Sequence, residues 1–210
     1  EFRTPLSTIL SSISLVDQYK KKNDLDKIDK HTERVRSSVK QLTSILNDFL
    51  SLGKLEEGKV DTVHEATDLH ELLHDINEEI KNILKEGQHI QISIQEGLHT
   101  IMTDSKILRN ILFNLLSNAS KYSDSNKTIY LSVAKSKNEL SVQIRDEGIG
   151  IPEEDQRHLF DRFFRAGNVS NIQGTGLGLH IVKRYVELLG GTISFESEQN
   201  IGTTFLFQFP

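Results

Sequence analysis

The sequence predicts an α+β protein in two pieces, a helical hairpin followed by a sandwich of strands and helices. Three observations carry that prediction. Over residues 25–49 the residues Leu25, Ile28, Thr32, Val35, Val39, Leu42, Leu46 and Phe49 alternate steps of three and four, the 3.5-residue repeat of a coiled-coil seam. Beyond residue 66 the texture changes to segments of period 2 alternating with segments of period 3.6. Between them, "SLGKLEEGKVDTVHEATD" mixes glycine, charge and isolated apolar residues. The expected organisation is therefore a hairpin over 1–52, a linker over 53–66 and a folded domain over 67–210.

In the first piece the seam spacing also runs through Leu6, Ile9, Ile13 and Val16, and "KKKND" (20–24) reads as the turn between two helices. One hairpin leaves much of each seam uncovered, and pairing with a second copy closes it into a four-helix bundle. A plain helical spacer is the alternative that the heptads alone leave open. In the second piece, "DLHELLHDINEEIKNILKEG" (68–87) is predicted helical, with Asp68 as N-cap and Gly87 at its end. "HIQISIQ" (89–95) alternates and reads as a strand. "TDSKILRNILFNLLSNASKYS" (103–123) is a second helix, capped by Asp104. "TIYLSVAK" (128–135), "ELSVQIRD" (139–146), "TISFESE" (192–198) and "TTFLFQF" (203–209) are further strands. "LGLHIVKRYVELLGG" (177–191) is a helix that stops at a glycine pair.

Bulk composition narrows the function classes. With 210 residues, 36% hydrophobic and 26% charged, the chain has the makings of folded domains rather than of a disordered tail. A formal net charge of −5 argues against a nucleic-acid partner. The absence of cysteine excludes disulfides, Cys-zinc sites and thiol catalysis, and fits a reducing compartment. No stretch approaches the roughly 20 apolar residues of a membrane helix.

Three segments of the second piece carry chemistry that packing does not demand. In "RDEGIGIP" (145–152) a strand ends in Asp146 and runs into Gly148 and Gly150. Glycines there let the backbone approach a ligand, and the carboxylate can accept from an exocyclic amine such as that of adenine. Ordinary turns also carry this pattern. "GTGLGL" (174–179) leads straight into a helix, whose N-terminal N–H groups and dipole suit a phosphate. It is neither a Walker A loop nor a Rossmann fingerprint, and a hinge is its other reading. Along "NILFNLLSNASKYS", Asn110, Asn114, Asn118 and Lys121 share one helical face. An amide oxygen there can take Mg²⁺ and the lysine a phosphate, against the alternative of a solvated polar stripe. Taken together, the three segments favour a Mg-nucleotide site.

At these residues the chain resembles the sensor histidine kinases of two-component systems, over essentially its whole length. "NLLSNASKY" (114–122) resembles the family's N box, "DEGIGI" (146–151) its first G box, "FDRFFR" (160–165) its F box, "GTGLGL" (174–179) its second G box and "GTTF" (202–205) a third. The resemblance implies a dimerisation and phosphoacceptor hairpin followed by an α/β sandwich of the Bergerat ATP-binding type. It implies ATP and Mg²⁺ as ligands. Asp146 would hold the adenine amino group and Gly150 would let the base approach, with Gly148 in the same loop. Asn118 would be the main Mg²⁺ ligand, with Asn114 beside it, Lys121 near the phosphates and Tyr122 against the nucleotide. Gly174, Thr175, Gly176, Leu177 and Gly178 would form the phosphate-side loop. Arg165 would swing toward the γ-phosphate, and residues 161–176 would be a mobile lid.

In that family the first helix carries His-Glu-x-x-Thr-Pro-Leu, and "EFRTPL" matches from the second position, so the acceptor histidine is expected immediately before Glu1. Glu1 would draw the imidazole proton, Thr4 would position water for dephosphorylating a partner regulator, and Pro5 would bend the helix. None of the eight histidines present, His31, His158 and His180 included, has the context of a substitute acceptor. "HELLH" (70–74) matches the zinc-protease helix motif through His70, Glu71 and His74, yet has no third ligand context. The resemblance further implies a homodimer, a response-regulator receiver domain as partner, an upstream sensor domain and a cytoplasmic location, which is compatible with the cytosolic part of a membrane-anchored sensor. An ATP-binding signalling scaffold without the acceptor histidine is the alternative of a different class.

Overall fold

Helices α1 (Arg3–Lys21) and α2 (Leu25–Glu56) form the first of two units, which divide at residues 59/60 in the computed structural model. The structure describes residues 2–57, 60–136, 139–169, 172 and 174–210. The turn at Lys22–Asp24 reverses the chain through Asn23 in the left-handed region (φ 55°), a conformation asparagine tolerates. Asp24 then caps α2 by accepting from the Lys27 N–H at 3.3 Å.

The expected single seam of α2 divides into two faces. The buried row is His31, Ser38, Ile45 and Leu52, seven residues apart, flanked by half-buried Ile28, Val35 and Leu42. On α1 the corresponding row is Pro5, Ser12 and half-buried Tyr19. Leu25, Thr32, Val39 and Leu46 face outward instead, together with Phe49, Leu50 and, on α1, Leu6, Leu10 and Ile13. Each helix carries an apolar arc wider than its one neighbour can cover. The same seven-residue spacing carries α2 through Leu52 and on to Glu56, into the segment expected as linker, because burial along that row outweighs the helix cost of Gly53.

The second unit begins with β1 (Glu65–Asp68), which pairs antiparallel with β3 (Thr100–Thr103). Neither four-residue strand is among the sequence expectations, since four residues show too little alternation to stand out. Between them lie α3 (Leu69–Lys81) and β2 (His89–Ile94). Helix α3 ends at Lys81, short of the expected Gly87, whose positive φ of 70° belongs instead to the turn leading into β2. Then follow α4 (Ser105–Tyr122), β4 (Thr128–Ser136), β5 (Glu139–Arg145), the single turn α5 (Glu153–Gln156), a 3₁₀ turn at Gly167–Val169, α6 (Gly178–Leu188), β6 (Thr192–Glu198) and β7 (Gly202–Phe209).

The main sheet has the order β2-β4-β5-β7-β6, with β2 parallel to β4 and every other pair antiparallel. Its strands bury alternate residues, Ile129, Leu131 and Val133 on β4, Leu140, Val142 and Ile144 on β5, and Phe205, Phe207 and Phe209 on β7. Against that face pack the apolar stripes of α3 (Leu69, Leu72, Leu73, Ile76, Ile80), α4 and α6 (Ile181, Val182, Tyr185, Val186). The result is a two-layer α+β sandwich in which α4 and α6 lie side by side.

Candidate functional site

Helix α4 supplies the site's floor. Asp104 caps it, one carboxylate oxygen accepting from the N–H groups of Lys106 and Ile107 at 3.0 Å. Ile107, Leu108, Ile111, Leu112, Leu115, Leu116 and Ala119 take the buried face, so Asn110, Asn114, Asn118 and Lys121 are left along the other side. Asn110 is exposed, while Asn114, Asn118, Lys121 and Tyr122 are half-buried. Asn114 Nδ2 donates to the Asn110 carbonyl at 3.0 Å, which leaves its Oδ1 outward. Lys121 Nζ donates to Tyr122 Oη at 3.1 Å and lies 4.7 Å from that ring's centroid.

Both glycine segments lie against α4. A Cβ on Gly174 would stand 2.7 Å from Lys121 Nζ, and one on Gly178 would stand 3.2 Å from Asn114 Oδ1. The start of α6, with its unpaired N–H groups, is thereby set beside the amide row and the lysine. Thr175 Oγ1 accepts from the Leu177 N–H at 3.1 Å, and Leu177 itself is buried. Gly176 adopts φ 69° with its Cα against the Phe163–Phe164 peptide, where a Cβ would come within 2.6 Å.

The 146–151 loop abuts the end of α4. A Cβ on Gly148 would stand 2.5 Å from the Tyr122 carbonyl oxygen, and the Ile149 N–H donates to that same oxygen at 3.1 Å. Gly150 (φ 61°) approaches the Glu198 carbonyl so closely that a Cβ would sit 2.0 Å from it. Ser197 Oγ accepts from the Ile151 N–H at 2.9 Å, and the Asn200 N–H donates to the Ile149 carbonyl at 2.8 Å. The β6–β7 turn thus braces the loop from behind.

Asp146 is buried at 7% exposure. Its Oδ1 accepts from the N–H groups of Gly148 at 2.9 Å and Thr203 at 3.3 Å, while Oδ2 has no protein donor among the described residues. Burial pushes the carboxyl up to about 6 from its ordinary 3.8, against the opposing pull of those two N–H groups. A buried carboxylate with one oxygen unspent is a receptor for a hydrogen-bond donor.

Arg165 is bound within its own segment. Its Nη2 donates to the Val169 carbonyl at 2.8 Å and to the Ile172 carbonyl, so the guanidinium is engaged inside its own 161–176 segment. Thr4 lies exposed in the first turn of α1, within the hairpin unit, and Glu1 lies outside the described residues. His70, Glu71 and His74 are exposed on α3, and His70 tilts against His99 with ring centroids 5.3 Å apart. No group of three metal-ligating side chains occurs among the described residues.

Sequence reasoning missed the residues that hold these loops. Asn168 donates from Nδ2 to the Gly150 carbonyl at 2.9 Å, Gln156 donates to the carbonyls of Ile151 and Ser197 at 3.1 Å, and the second Asp104 oxygen accepts from the Val63 N–H at 2.9 Å. Each partner lies between 5 and 41 residues away, a separation that no local pattern reports. The donor set left facing the cleft fits Mg-ATP: amide oxygens and an ammonium for metal and phosphates, N–H groups at a helix start, and a carboxylate deeper in for an amine.

Comparison with known proteins agrees with this geometry. Residues 103–210 match the family of histidine kinase-, DNA gyrase B- and HSP90-like ATPases, and residues 1–58 match the His Kinase A (phospho-acceptor) domain. The circadian input-output histidine kinase CikA of Synechococcus elongatus is 31% identical over 215 residues, covering 100% of this chain and 28% of CikA. Among solved structures, full-length ShkA in complex with AMPPNP has a TM-score of 0.74 at 25% identity, covering 88% of this chain and 39% of ShkA. The histidine kinase ThkA in complex with the response regulator protein TrrA has a TM-score of 0.71 at 21% identity, covering 100% of this chain and 58% of that one. The chain spans between 11% and 28% of the length of the first curated relatives it matches.

Proposed function

This chain belongs to the sensor histidine kinases, as a transmitter region, and from that membership we propose that it binds Mg-ATP and phosphorylates a histidine immediately before Glu1. The phosphoryl group then passes to an aspartate of a response-regulator receiver domain. The observation that carries this reading is the convergence on one cleft of the α4 amide row, the start of α6 and the 146–151 loop, with Lys121 Nζ 2.7 Å from the Cβ position of Gly174.

In this reading Asp146 Oδ2 accepts from the adenine amino group, and Gly148 and Gly150 keep the loop thin enough for the base. Tyr122 lies along the nucleotide. Lys121 and the N–H groups around Gly174, Thr175, Gly176, Leu177 and Gly178 take the phosphates. Asn118, with Asn114 beside it, would hold Mg²⁺, which neutralises phosphate charge when bound. Arg165 leaves the carbonyls of Val169 and Ile172 and meets the γ-phosphoryl group, so lid rearrangement accompanies transfer. Glu1 takes the imidazole proton as the nitrogen attacks phosphorus and the bond to the bridging oxygen breaks, releasing ADP. Thr4 serves the reverse branch by holding water for hydrolysis of the phosphorylated regulator.

The outward apolar residues of the hairpin, among them Leu10, Ile13, Val39 and Leu46, are the dimerisation face that completes a four-helix bundle. No helix among the described residues is long and apolar enough to cross a membrane. The family membership, and not that absence, supports a cytoplasmic placement. A complex of the structural neighbour ThkA with TrrA supports a response regulator as partner.

The test is phosphoryl incorporation from γ-labelled ATP with Mg²⁺, comparing this chain with one extended upstream through the residue before Glu1. The extended form is expected to gain an acid-labile, alkali-stable label that Asn118→Ala abolishes. Absence of label on the extended form, with ATP still bound, overturns the kinase reading.

A further inference from the structure

The C-terminal turn of α4 carries Lys121 and Tyr122 into the cleft, yet it ends with no glycine and no left-handed residue. Ser123 leaves the helix extended, at φ −99° and ψ 153°. Helix ends leave carbonyls in need of donors. Here each carbonyl from Ala119 to Asp124 has one, and most come from the turn before β2. The two N–H groups of Gln88 Nε2 are shared among the carbonyls of Ser120 (3.1 Å), Ser123 (3.2 Å) and Asp124 (2.9 Å). Lys85 Nζ donates to those of Lys121 (2.9 Å) and Ser123 (2.6 Å). The Ser123 N–H serves the Ala119 carbonyl and the Ile149 N–H serves that of Tyr122.

Gln88 is itself locked. It is 8% exposed, and its Oε1 accepts from the Lys85 N–H at 2.9 Å and from Ser120 Oγ at 2.7 Å. The same amide that caps the helix therefore seats the backbone of Lys85. The Lys85 ammonium, in turn, sits at the negative end of the α4 dipole, where a cation is favoured. Its direct partner is the carbonyl of Lys121, the residue whose own ammonium reaches the 174–178 loop.

We propose that Lys85, seated by Gln88, is a positioning residue for nucleotide binding: it fixes the Lys121 backbone so that the Lys121 ammonium meets the phosphates. The proposal rests on the Mg-ATP reading of the cleft. Their hydrogen bonds go to the end of α4 and to each other, and both residues lie outside every motif that marks the site in the sequence.

The experiment is a double-mutant cycle on Mg-ATP affinity, measured by titration calorimetry on the 210-residue chain with thermal melts alongside. The four proteins are wild type, Lys85→Met, Lys121→Ala and the double variant. Lys85→Met is expected to weaken Mg-ATP by roughly fivefold while the melt stays cooperative, and to change affinity by less than about twofold once Lys121 is alanine. If Lys85→Met does not fold, Lys85→Gln, which keeps one donor, runs the same cycle with a smaller expected loss in the same pattern. Wild-type affinity in the folded variant overturns the proposal, as does an equal loss in both backgrounds, since a purely structural contact does not depend on Lys121. Failure of the wild-type chain to bind Mg-ATP overturns the site reading and this proposal with it. Binding by wild type together with a flat cycle overturns the proposal alone.

Discussion

Asp146→Asn separates what the buried carboxyl does for binding from what it does to stability. The asparagine keeps an oxygen where Oδ1 accepts from Gly148 and Thr203, so the loop loses no hydrogen bond. It places an NH₂ where Oδ2 stood, and two donors then face each other when adenine enters. Removing the charge also removes the desolvation that lifts the carboxyl from 3.8 to about 6, which at about 1.4 kcal/mol per pH unit corresponds to about 3 kcal/mol. The sign follows from linkage: the folded-state pKa lies above the unfolded one, so the ionised carboxylate works against folding in full above pH 6 and stops doing so as pH falls below 4. Urea unfolding followed by far-ultraviolet circular dichroism should therefore find the variant more stable by about 3 kcal/mol at pH 7, with the gap closing toward pH 4. Nucleotide titration should find binding lost in the variant. In wild type it should find affinity falling about tenfold from pH 7 to pH 5, since the neutral carboxyl no longer presents an unprotonated acceptor. A variant less stable than wild type at pH 7, or a gap that does not change with pH, refutes the reasoning.

Asp104 is open to a similar dissection. Asp104→Asn retains a capping oxygen for Lys106 and Ile107 but offers no acceptor to the Val63 N–H, so it should cost under about 1 kcal/mol, whereas Asp104→Ala loses both functions and should cost about 2 kcal/mol in the same unfolding assay. Gly148→Ala drives a methyl to 2.5 Å from a backbone oxygen, and should lose more than about 2 kcal/mol together with nucleotide binding. Gly178→Ala meets only a side-chain oxygen at 3.2 Å, and calorimetry should show a folded protein with nucleotide affinity reduced several-fold. In the hairpin, Leu46→Glu alters an outward residue and should lower the molar mass found by analytical ultracentrifugation without loss of helix, while Ile45→Ala in the buried row should destabilise by about 2–4 kcal/mol.

What the sequence made legible follows the range of each interaction. The five strands of the main sheet and the helices α1, α2, α3, α4 and α6 were readable because burial imposes a period on six or more successive residues. Strands β1 and β3 are too short to display one. The heptad of α2 was readable as a pattern but not as a partition, because apolar identity at 25, 39 and 46 and at 28, 35 and 42 is the same while only the second set meets a helix of the same chain. His31 and Ser38 fill the intrachain row as polar residues, which no hydrophobicity count selects. Of the site residues, Asn114, Asn118, Lys121, Asp146 and the glycines announce themselves by spacing. The carbonyl partners of Arg165, Val169 and Ile172, were not legible, since they depend on how its own segment folds back.

The division has a physical cause. A side chain that is to meet a nucleotide must keep at least one polar atom unspent, and so it depends in part on other residues to hold it in place. Asn114 Oδ1, Asp146 Oδ2 and the Lys121 ammonium face the cleft, and the hydrogen bonds that fix their backbones come from elsewhere: Asp104 at one end of α4, Lys85 and Gln88 at the other, Ser197 and Asn168 behind the 146–151 loop. Apart from Asp104, which caps α4 locally, these supporting residues lie 18 to 46 residues along the chain from what they hold and follow no local spacing rule. Ligand-facing chemistry is compressed into short motifs because one loop or one helical face must present it at once. Support is dispersed because any element that packs nearby can supply a donor. On the proposed reading, the affinity of this cleft depends on the supporting residues as well as on the ligand-facing ones, and the short turn from Lys85 to Gln88, unmarked by any motif, holds the backbone of Lys121.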